Sequence, residues 1–104
     1  MSIEESGGND LKIKGLIWLD DIIEKLIRKH NVQQSEVREV LSNKPSFRFV
    51  EKGHRSNENV YAAMGQNNGG RYLIAFFVYK TDQRALILSA RDMTKTERRL
   101  YEKT

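Results

Sequence analysis

The clearest pattern along the chain is helical and lies between residues 19 and 30. Apolar residues recur there at intervals of three and four positions, which places them on one stripe of an α-helix. Asp20 or Asp21 can cap the first turn, with Glu24 at the matching position of a capping box, and Asn31 tolerates the left-handed conformation that ends a helix. The apolar stripe consists of Leu19, Ile22, Ile23, Leu26 and Ile27.

A second, shorter helix is predicted from about residue 34 to residue 41. Val32 precedes it and is placed to pack onto Val37 across the first turn. Pro45 follows it, and the residue before a proline is pushed out of the helical region, so the helix ends before that point. Its buried side is formed by Val37, Val40 and Leu41.

The rest of the chain indicates mainly strands. Phe47 and Phe49 alternate with Arg48, which is a half-buried pattern. Two later runs are apolar at successive positions on either side of Thr81-Asp82-Gln83, and they predict a hairpin of central strands covered on both faces. Strands are expected at about residues 13–18, 47–49, 60–64, 72–80 and 84–91, and a final helix capped by Thr94 and Glu97.

The resulting order, β-α-α-β-β-β-β-α, predicts an α+β fold in which an antiparallel sheet packs against two N-terminal helices, with a short C-terminal helix. Residues 1–10 are polar, Gly-rich and acidic, and we expect them to form a flexible tail. Residues 11–104 are expected to form a single domain.

Composition excludes several kinds of site. The chain of 104 residues has no cysteine, which excludes disulfides and thiolate metal sites. With two histidines and no close carboxylate cluster, no zinc or magnesium site and no cofactor are expected. No apolar run is long enough for a membrane span and no secretory signal is visible, so the cytoplasm is the expected location.

Charge favours a polyanionic partner. The formal net charge is +4, and the first ten residues are acidic, so the remaining chain is more basic than the total indicates. Lys and Arg neutralise phosphates and release counterions. A merely soluble basic surface explains the charge equally well.

Arg71 and Arg91 are the first candidates for handling a phosphate. Strict alternation along the last strand places Arg91 on one side with Ala85, Ile87 and Ser89. The start of one strand lies beside the end of its antiparallel neighbour, so the two arginines are expected to meet at one edge of the sheet. Two guanidiniums there would grip a phosphate bidentately. The alternative is that each pairs with a local carboxylate such as Glu58 or Glu97.

Several segments together resemble the BrnT family of bacterial toxins. Trp18 and Lys29-His30-Asn31-Val32 keep the spacing of a family motif, although Leu19 and Asn31 stand where the family has Asp and Gly. The resemblance covers roughly residues 16 to 103. Its other segments are Glu58-Asn59-Val60-Tyr61, Ala63-Met64-Gly65, Gly70-Arg71-Tyr72-Leu73, Ile87-Leu88-Ser89-Ala90-Arg91, Glu97-Arg98-Arg99 and Tyr101-Glu102.

The resemblance implies a RelE-like fold and a metal-independent endoribonuclease that acts on cellular RNA. It also implies neutralisation by a ribbon-helix-helix antitoxin of the BrnA type, with operator DNA bound only through that antitoxin, and no role at a membrane. The expected RNA contacts are the basic residues of one loop and of the last helix, namely Lys52, Arg55, Lys95, Arg98 and Arg99.

The loop from His54 to Glu58 supplies residue types for such a reaction. Cleaving RNA without a metal needs a base for the 2′-hydroxyl, an acid for the leaving oxygen and cations for the developing charge. His54 and Glu58 could take the first two roles, and Arg55, Arg71 or Arg91 the third. A solvated loop without catalytic function explains the same residues. The wider alternative to an enzyme is a non-catalytic module that binds RNA or a protein on the same fold.

Overall fold

Within residues 11–103 the fold has five strands, of which the first is short and is followed at once by two helices. The computed structural model describes residues 11–103, so the predicted tail at residues 1–10 lies outside the described residues. The elements are β1 (Gly15–Ile17), α1 (Asp20–His30), α2 (Gln34–Ser42), β2 (Ser46–Glu51), β3 (Val60–Gln66), β4 (Tyr72–Tyr79), β5 (Arg84–Asp92) and α3 (Lys95–Glu102).

All five strands join one sheet in the order β1-β5-β4-β3-β2. The four later strands pair antiparallel with their neighbours, and β4 and β5 form the predicted hairpin. β1 pairs parallel with β5, so that Gly15 lies beside Arg84 and Ile17 beside Leu86. The predicted order of elements and the α+β class are confirmed, and the first strand makes the sheet mixed.

The ends of α1 only partly follow the prediction. Asn31 ends the helix in the left-handed conformation with φ 52°, as predicted, and Arg28, Lys29 and His30 fill the last turn. The capping prediction for Asp20 and Asp21 is wrong, because the helix begins one residue earlier than a cap at Asp20 requires and two residues earlier than a cap at Asp21 requires. Leu19 occupies the N-cap and offers no side-chain acceptor.

A hydrogen bond that the sequence analysis missed closes the start of α2. The backbone N–H of Gln33 donates to Glu36 Oε1 at 3.0 Å, so the third residue of the helix reaches back to its cap. Val37 and Val40 form the buried side of the helix, as predicted. The chain then leaves the helix through Asn43 and Lys44 before β2 begins.

One face of the sheet, which we call the helix face, carries the main core. α1 and α2 pack on it, and their buried residues Leu26, Val37 and Val40 meet the inward side chains of the strands. The strand residues of this core are Phe47, Ala63, Leu73, Ala75, Phe77, Ala85, Ile87 and Ala90.

The opposite side, which we call the open face, has a much smaller cluster. Ala62, Met64 and Ile74 are buried there, and Tyr101 of α3 packs on them. Phe76, Val78 and Leu86 lie on the same face and remain half-buried. The prediction that β4 and β5 are covered on both sides therefore holds only beside α3.

Candidate nucleic-acid interface

Arg91 lies near the end of β5 on the open face, beside Ile74 of β4. Its Nη1 donates to Glu97 Oε1 at 2.8 Å and its Nη2 to Glu97 Oε2 at 2.9 Å, so the two side chains form a bidentate pair. The guanidinium also lies 5.4 Å from the ring centre of Phe76. The side chain keeps 33% of its surface exposed. Arg91 is thus held in one orientation while it remains within reach of a ligand.

A β-bulge at Leu88 sets the face on which Arg91 lies. Ser89 pairs with Phe76, but Ile87 pairs with the next residue, Phe77, so Leu88 is an extra residue in β5. Ile87 therefore points to the helix face, whereas Ser89 and Arg91 point to the open face. The predicted alternation, which placed Ile87 and Arg91 on one side, is wrong beyond the bulge.

Arg71 lies on the helix face and is held by acceptors from three segments. Its Nε and Nη2 donate to the Asp92 carboxylate at 2.8 and 3.2 Å. Nη1 donates to the carbonyl of Asn31 at 2.7 Å and to Glu36 Oε2 at 3.2 Å, and Nη2 donates to the carbonyl of His30 at 2.9 Å. These contacts use all five N–H groups of a guanidinium. We call this arrangement the Arg71 clamp.

The expected meeting of Arg71 and Arg91 does not occur. Arg91 and Asp92 are successive residues of β5 and point to opposite faces, and Arg71 binds Asp92. The hydrogen bond from Arg71 lowers the pKa of Asp92, and the one from Arg91 lowers the pKa of Glu97. The alternative, in which each arginine pairs with a carboxylate, is what the structure shows: Arg71 pairs with Asp92 and Arg91 with Glu97.

Glu58 forms a structural ion pair at the far end of the sheet. Glu58 is buried, with only 7% of its surface exposed. Its carboxylate accepts a hydrogen bond from Lys80 Nζ at 2.9 Å and one from the N–H of Thr81 at 3.3 Å. The hydrogen bond from Lys80 lowers the pKa of Glu58. This pair fastens the start of β3 to the turn between β4 and β5.

The rest of the predicted loop site is exposed. Lys52, His54 and Arg55 line a shallow cavity of about 370 Å³ together with Ser56 and Asn57. These basic side chains are exposed to a polyanion, and the described residues that line the cavity with them all belong to the loop between β2 and β3. The loop is a separate basic surface.

The four predicted catalytic residues therefore do not form one site. Arg71 and Arg91 lie where β4 begins and β5 ends, whereas Glu58 and His54 lie where β4 ends. β4 has eight residues, so its length separates the two groups by about 25 Å. No phosphate could contact both ends at once.

α3 brings further basic residues beside Arg91. Its N-terminus is closed by the predicted capping box of Thr94 and Glu97, so Glu97 serves the helix and Arg91 together. Arg98 stacks on Tyr72, with its guanidinium 3.8 Å from the ring centre. Lys95, Arg98 and Arg99 are all exposed.

Arg48 is a functional candidate that the sequence analysis missed. The register places it beside Ala62, which lies beside Phe76, so Arg48 shares the open face with Arg91. The alternation of Phe47, Arg48 and Phe49 already separated the arginine from the core. The sequence did not reveal that β2 pairs with β3 and β3 with β4, and this pairing places Arg48 in line with Phe76.

Comparisons with known proteins show the family and a similar fold. A family model described as the ribonuclease toxin BrnT of type II toxin-antitoxin systems matches residues 18–97. The 1.1 Å crystal structure of the Brucella abortus ribonuclease toxin BrnT is similar in fold, with a TM-score of 0.54 and 18% sequence identity, and the match covers 78% of this chain and 97% of that chain. No curated protein matches the sequence. Within residues 11–103, no helix has the length and apolar character needed to cross a membrane.

Proposed function

Because this chain belongs to the BrnT family of ribonuclease toxins from type II toxin-antitoxin systems, we propose that it cleaves cellular RNA on the open face of its sheet, without a metal ion. The family gives it RNA as substrate and an antitoxin as partner. The observation that carries the placement of the reaction is the position of Arg91, which is fixed by Glu97 of the basic helix α3 and is partly exposed.

The proposed reaction is a transesterification. The 2′-oxygen of the RNA attacks phosphorus and loses its proton to a base, the bond to the 5′-oxygen breaks, and that oxygen takes up a proton. The products are a 2′,3′-cyclic phosphate and a 5′-hydroxyl, and extra negative charge develops on the phosphate during the step. A guanidinium stabilises such charge through two parallel N–H donors.

Arg91 is the one residue of the four predicted catalytic residues that we retain for this step. Its fork already holds a carboxylate, which has a geometry similar to that of two phosphate oxygens, and a substrate phosphate would compete with Glu97 for it. Arg71 has its donors engaged in the Arg71 clamp. His54 and Glu58 lie about 25 Å away along β4, so they cannot act on a phosphate at Arg91.

The experiment that tests the proposal is an RNA cleavage assay with purified protein, with and without EDTA. Arg91→Ala should lower the rate by about two to three orders of magnitude, the effect of removing one electrostatic partner of a transition state. Arg91→Lys should also be impaired, since a point charge does not reproduce the planar fork. Arg84→Ala is the control, because Arg84 lies at the other end of β5 and is also paired with a carboxylate, that of Asp82 in the preceding turn. Normal cleavage by Arg91→Ala would reject the role of Arg91, and a loss of cleavage with EDTA would reject metal independence.

We further propose that the antitoxin is a ribbon-helix-helix protein of the BrnA type, that the pair acts in the cytoplasm, and that operator DNA is bound only through the antitoxin. Support for a partner that covers the open face comes from its half-buried apolar groups, such as Phe76, whereas Tyr72 is already covered by Arg98 and Tyr101 of α3. Expression of the chain alone should arrest bacterial growth, and co-expression of the antitoxin should relieve the arrest. Operator binding by the isolated chain would contradict this part of the proposal.

A second candidate function is binding without cleavage. It is favoured by two observations, namely that Glu97 already occupies one N–H of each Nη of Arg91 and that the predicted acid and base lie at the other end of the sheet. This function predicts salt-dependent RNA binding with no cyclic phosphate product. Mass spectrometry of RNA after incubation with the wild-type protein separates the two functions.

A further inference from the structure

A row of four side chains crosses the open face from the edge strand to β5. Arg48 of β2 lies beside Ala62 of β3, which lies beside Phe76 of β4, which lies beside Ser89 of β5. We call this set the Phe76 row. Neighbouring strands are about 5 Å apart, so the Cα atoms of Arg48 and Phe76 are separated by about 10 Å. α1 and α2 lie on the other side of the sheet and leave this row uncovered.

Phe76 is an aromatic group within reach of solvent. It is half-buried against Ala62, Met64 and Ile74, and its ring has the Arg91 guanidinium 5.4 Å from its centre. Unpaired nucleic acid bases stack on aromatic rings and on guanidinium planes. Phe76 and Arg91 together therefore provide both an aromatic ring and a guanidinium plane on the open face.

Arg48 is a cation without a competing partner. It is exposed, and among residues 11–103 no carboxylate pairs with it. Arg71, Arg91 and Arg98, by contrast, are each engaged by a carboxylate. A phosphate at Arg48 therefore displaces only water, whereas a phosphate at any of the other three must displace an ion pair.

We propose that the Phe76 row binds an unpaired nucleotide of the RNA, with its base stacked on Phe76 and a flanking phosphate neutralised by Arg48. This inference rests on the proposed function and narrows its substrate class to single-stranded RNA. In a duplex each base is already stacked between its neighbours, so it cannot lie on Phe76 unless it leaves the helix.

Charge decides between RNA and a protein segment as the occupant of this row. An apolar protein segment would cover Phe76 but would leave Arg48 without a partner at the edge of the contact. A nucleotide uses the ring and the cation together. Lys95 and Arg99 are exposed on α3, the helix whose Glu97 holds Arg91, and they add positive charge that a phosphate backbone could use.

The test is fluorescence anisotropy with a labelled single-stranded RNA and a hairpin of the same composition, measured over a series of salt concentrations. Phe76→Leu keeps an apolar side chain but removes the ring, and it should weaken binding of the single strand by about tenfold or more without changing the salt dependence. Phe76→Tyr keeps the ring and should bind normally. Arg48→Gln should reduce the log-log salt slope by about 0.7, the value for one phosphate on a single strand. Arg38→Gln is the matched control, since Arg38 is also an exposed arginine but lies on α2.

A second measurement does not depend on the folding of any variant. Photo-crosslinking of the wild-type protein to a 4-thiouridine RNA should give an adduct within β4, at Phe76. If the crosslinks fall elsewhere, or if Phe76→Leu and Arg48→Gln bind like the wild type while RNA is still cleaved, the inference fails and the proposed function stands. If the wild type neither binds nor cleaves RNA, the proposed function fails. If Phe76→Leu loses binding to the antitoxin but still binds RNA like the wild type, the row is a protein-docking surface and the inference is overturned.

Discussion

Arg91 and Glu97 hold each other through two parallel hydrogen bonds of 2.8 and 2.9 Å, six residues apart in the chain. Glu97 Oε1 also accepts the N–H of Thr94 at 2.9 Å, so one carboxylate fixes the arginine and closes the first turn of α3. The helix and the candidate catalytic residue therefore share an anchor. A change at Glu97 should affect both the stability and the orientation of Arg91.

The first prediction is that Glu97→Gln lowers stability at neutral pH by about 1 kcal/mol, because a neutral amide loses the charge of a partly buried bidentate pair. The pKa of Glu97 is lowered in the folded state by the hydrogen bond from Arg91. A lowered folded pKa means that the contribution is complete above the unfolded pKa of about 4.3 and is lost as the pH falls through the folded pKa.

Urea unfolding of the wild type and of Glu97→Gln between pH 7 and pH 3 measures this. The stability difference between the two proteins should be constant near neutrality and should shrink below about pH 4. A difference that grows on acidification would contradict the ion pair as its source.

The second prediction concerns the Arg71 clamp. Arg71→Ala should destabilise the protein by about 2–3 kcal/mol, because it leaves two backbone carbonyls and the carboxylates of Glu36 and Asp92 without their donors. Arg71→Lys should recover only part of this, since an ammonium cannot serve all these acceptors. Denaturant unfolding gives the loss, and Arg84→Ala, which breaks an exposed pair, should change stability by less than about 1 kcal/mol.

The same variants separate a structural role of Arg71 from the catalytic role that the sequence predicts. Per folded molecule, Arg71→Lys should cleave RNA at close to the wild-type rate. A rate lowered a hundredfold in a stable, folded Arg71→Lys protein would restore the catalytic role.

The third prediction concerns Gly53, which lies in the basic loop. A Cβ at this position would lie 1.9 Å from the carbonyl oxygen of Glu58, and backbone cannot give way easily there. Gly53→Ala should therefore destabilise the protein by about 1–3 kcal/mol, the usual effect of forced overpacking. Gly69→Ala is the control, because its Cβ would meet nothing closer than 3.5 Å. Equal melting temperatures for the two variants would show that the loop packs differently.

The fourth prediction concerns the bulge. Deleting Leu88 would restore simple alternation and carry Ser89 and Arg91 to the helix face, where Ala90 now packs without exposure. We expect the deletion variant not to fold, whereas Leu88→Ser, at a position that is already exposed, should fold with a small loss of stability. Circular dichroism and proteolysis distinguish these outcomes. A folded, active deletion variant would show that the extra residue is dispensable.

Features that depend on neighbouring residues were predictable from the sequence. The helix α1, the left-handed stop at Asn31 and the capping box of Thr94 and Glu97 are all set by contacts within a few positions, and the structure has each of them. The predicted apolar stripe of α1 is buried only in part, because Leu19 and Ile27 are exposed. The hairpin of β4 and β5 follows from two apolar runs around a short turn. The family resemblance also predicted the fold correctly.

The arrangement of the site was not predictable in the same way. The bulge at Leu88 depends on how β5 meets β4, and the only local sign is that apolar residues change phase between Ile87 and Ala90. The acceptors of Arg71 include carbonyls about forty residues away, which no local pattern reveals. His54 and Arg91 lie at opposite ends of β4 because β3 and β5 both run antiparallel to it, and the composition of the loop does not reveal which end of the sheet it joins.

The parallel pairing of β1 with β5 has a consequence for how the chain folds. Gly15 and Arg84 belong to opposite ends of the described sequence, and their strands can meet only after the β4–β5 hairpin offers an edge. Closing so long a loop costs conformational entropy, and no strand pairing offsets that cost until the edge of β5 has formed. Non-local contacts of this kind slow folding. We therefore expect the N-terminal strand to dock last, so that the α1–α2 layer is fixed in place only as folding nears completion.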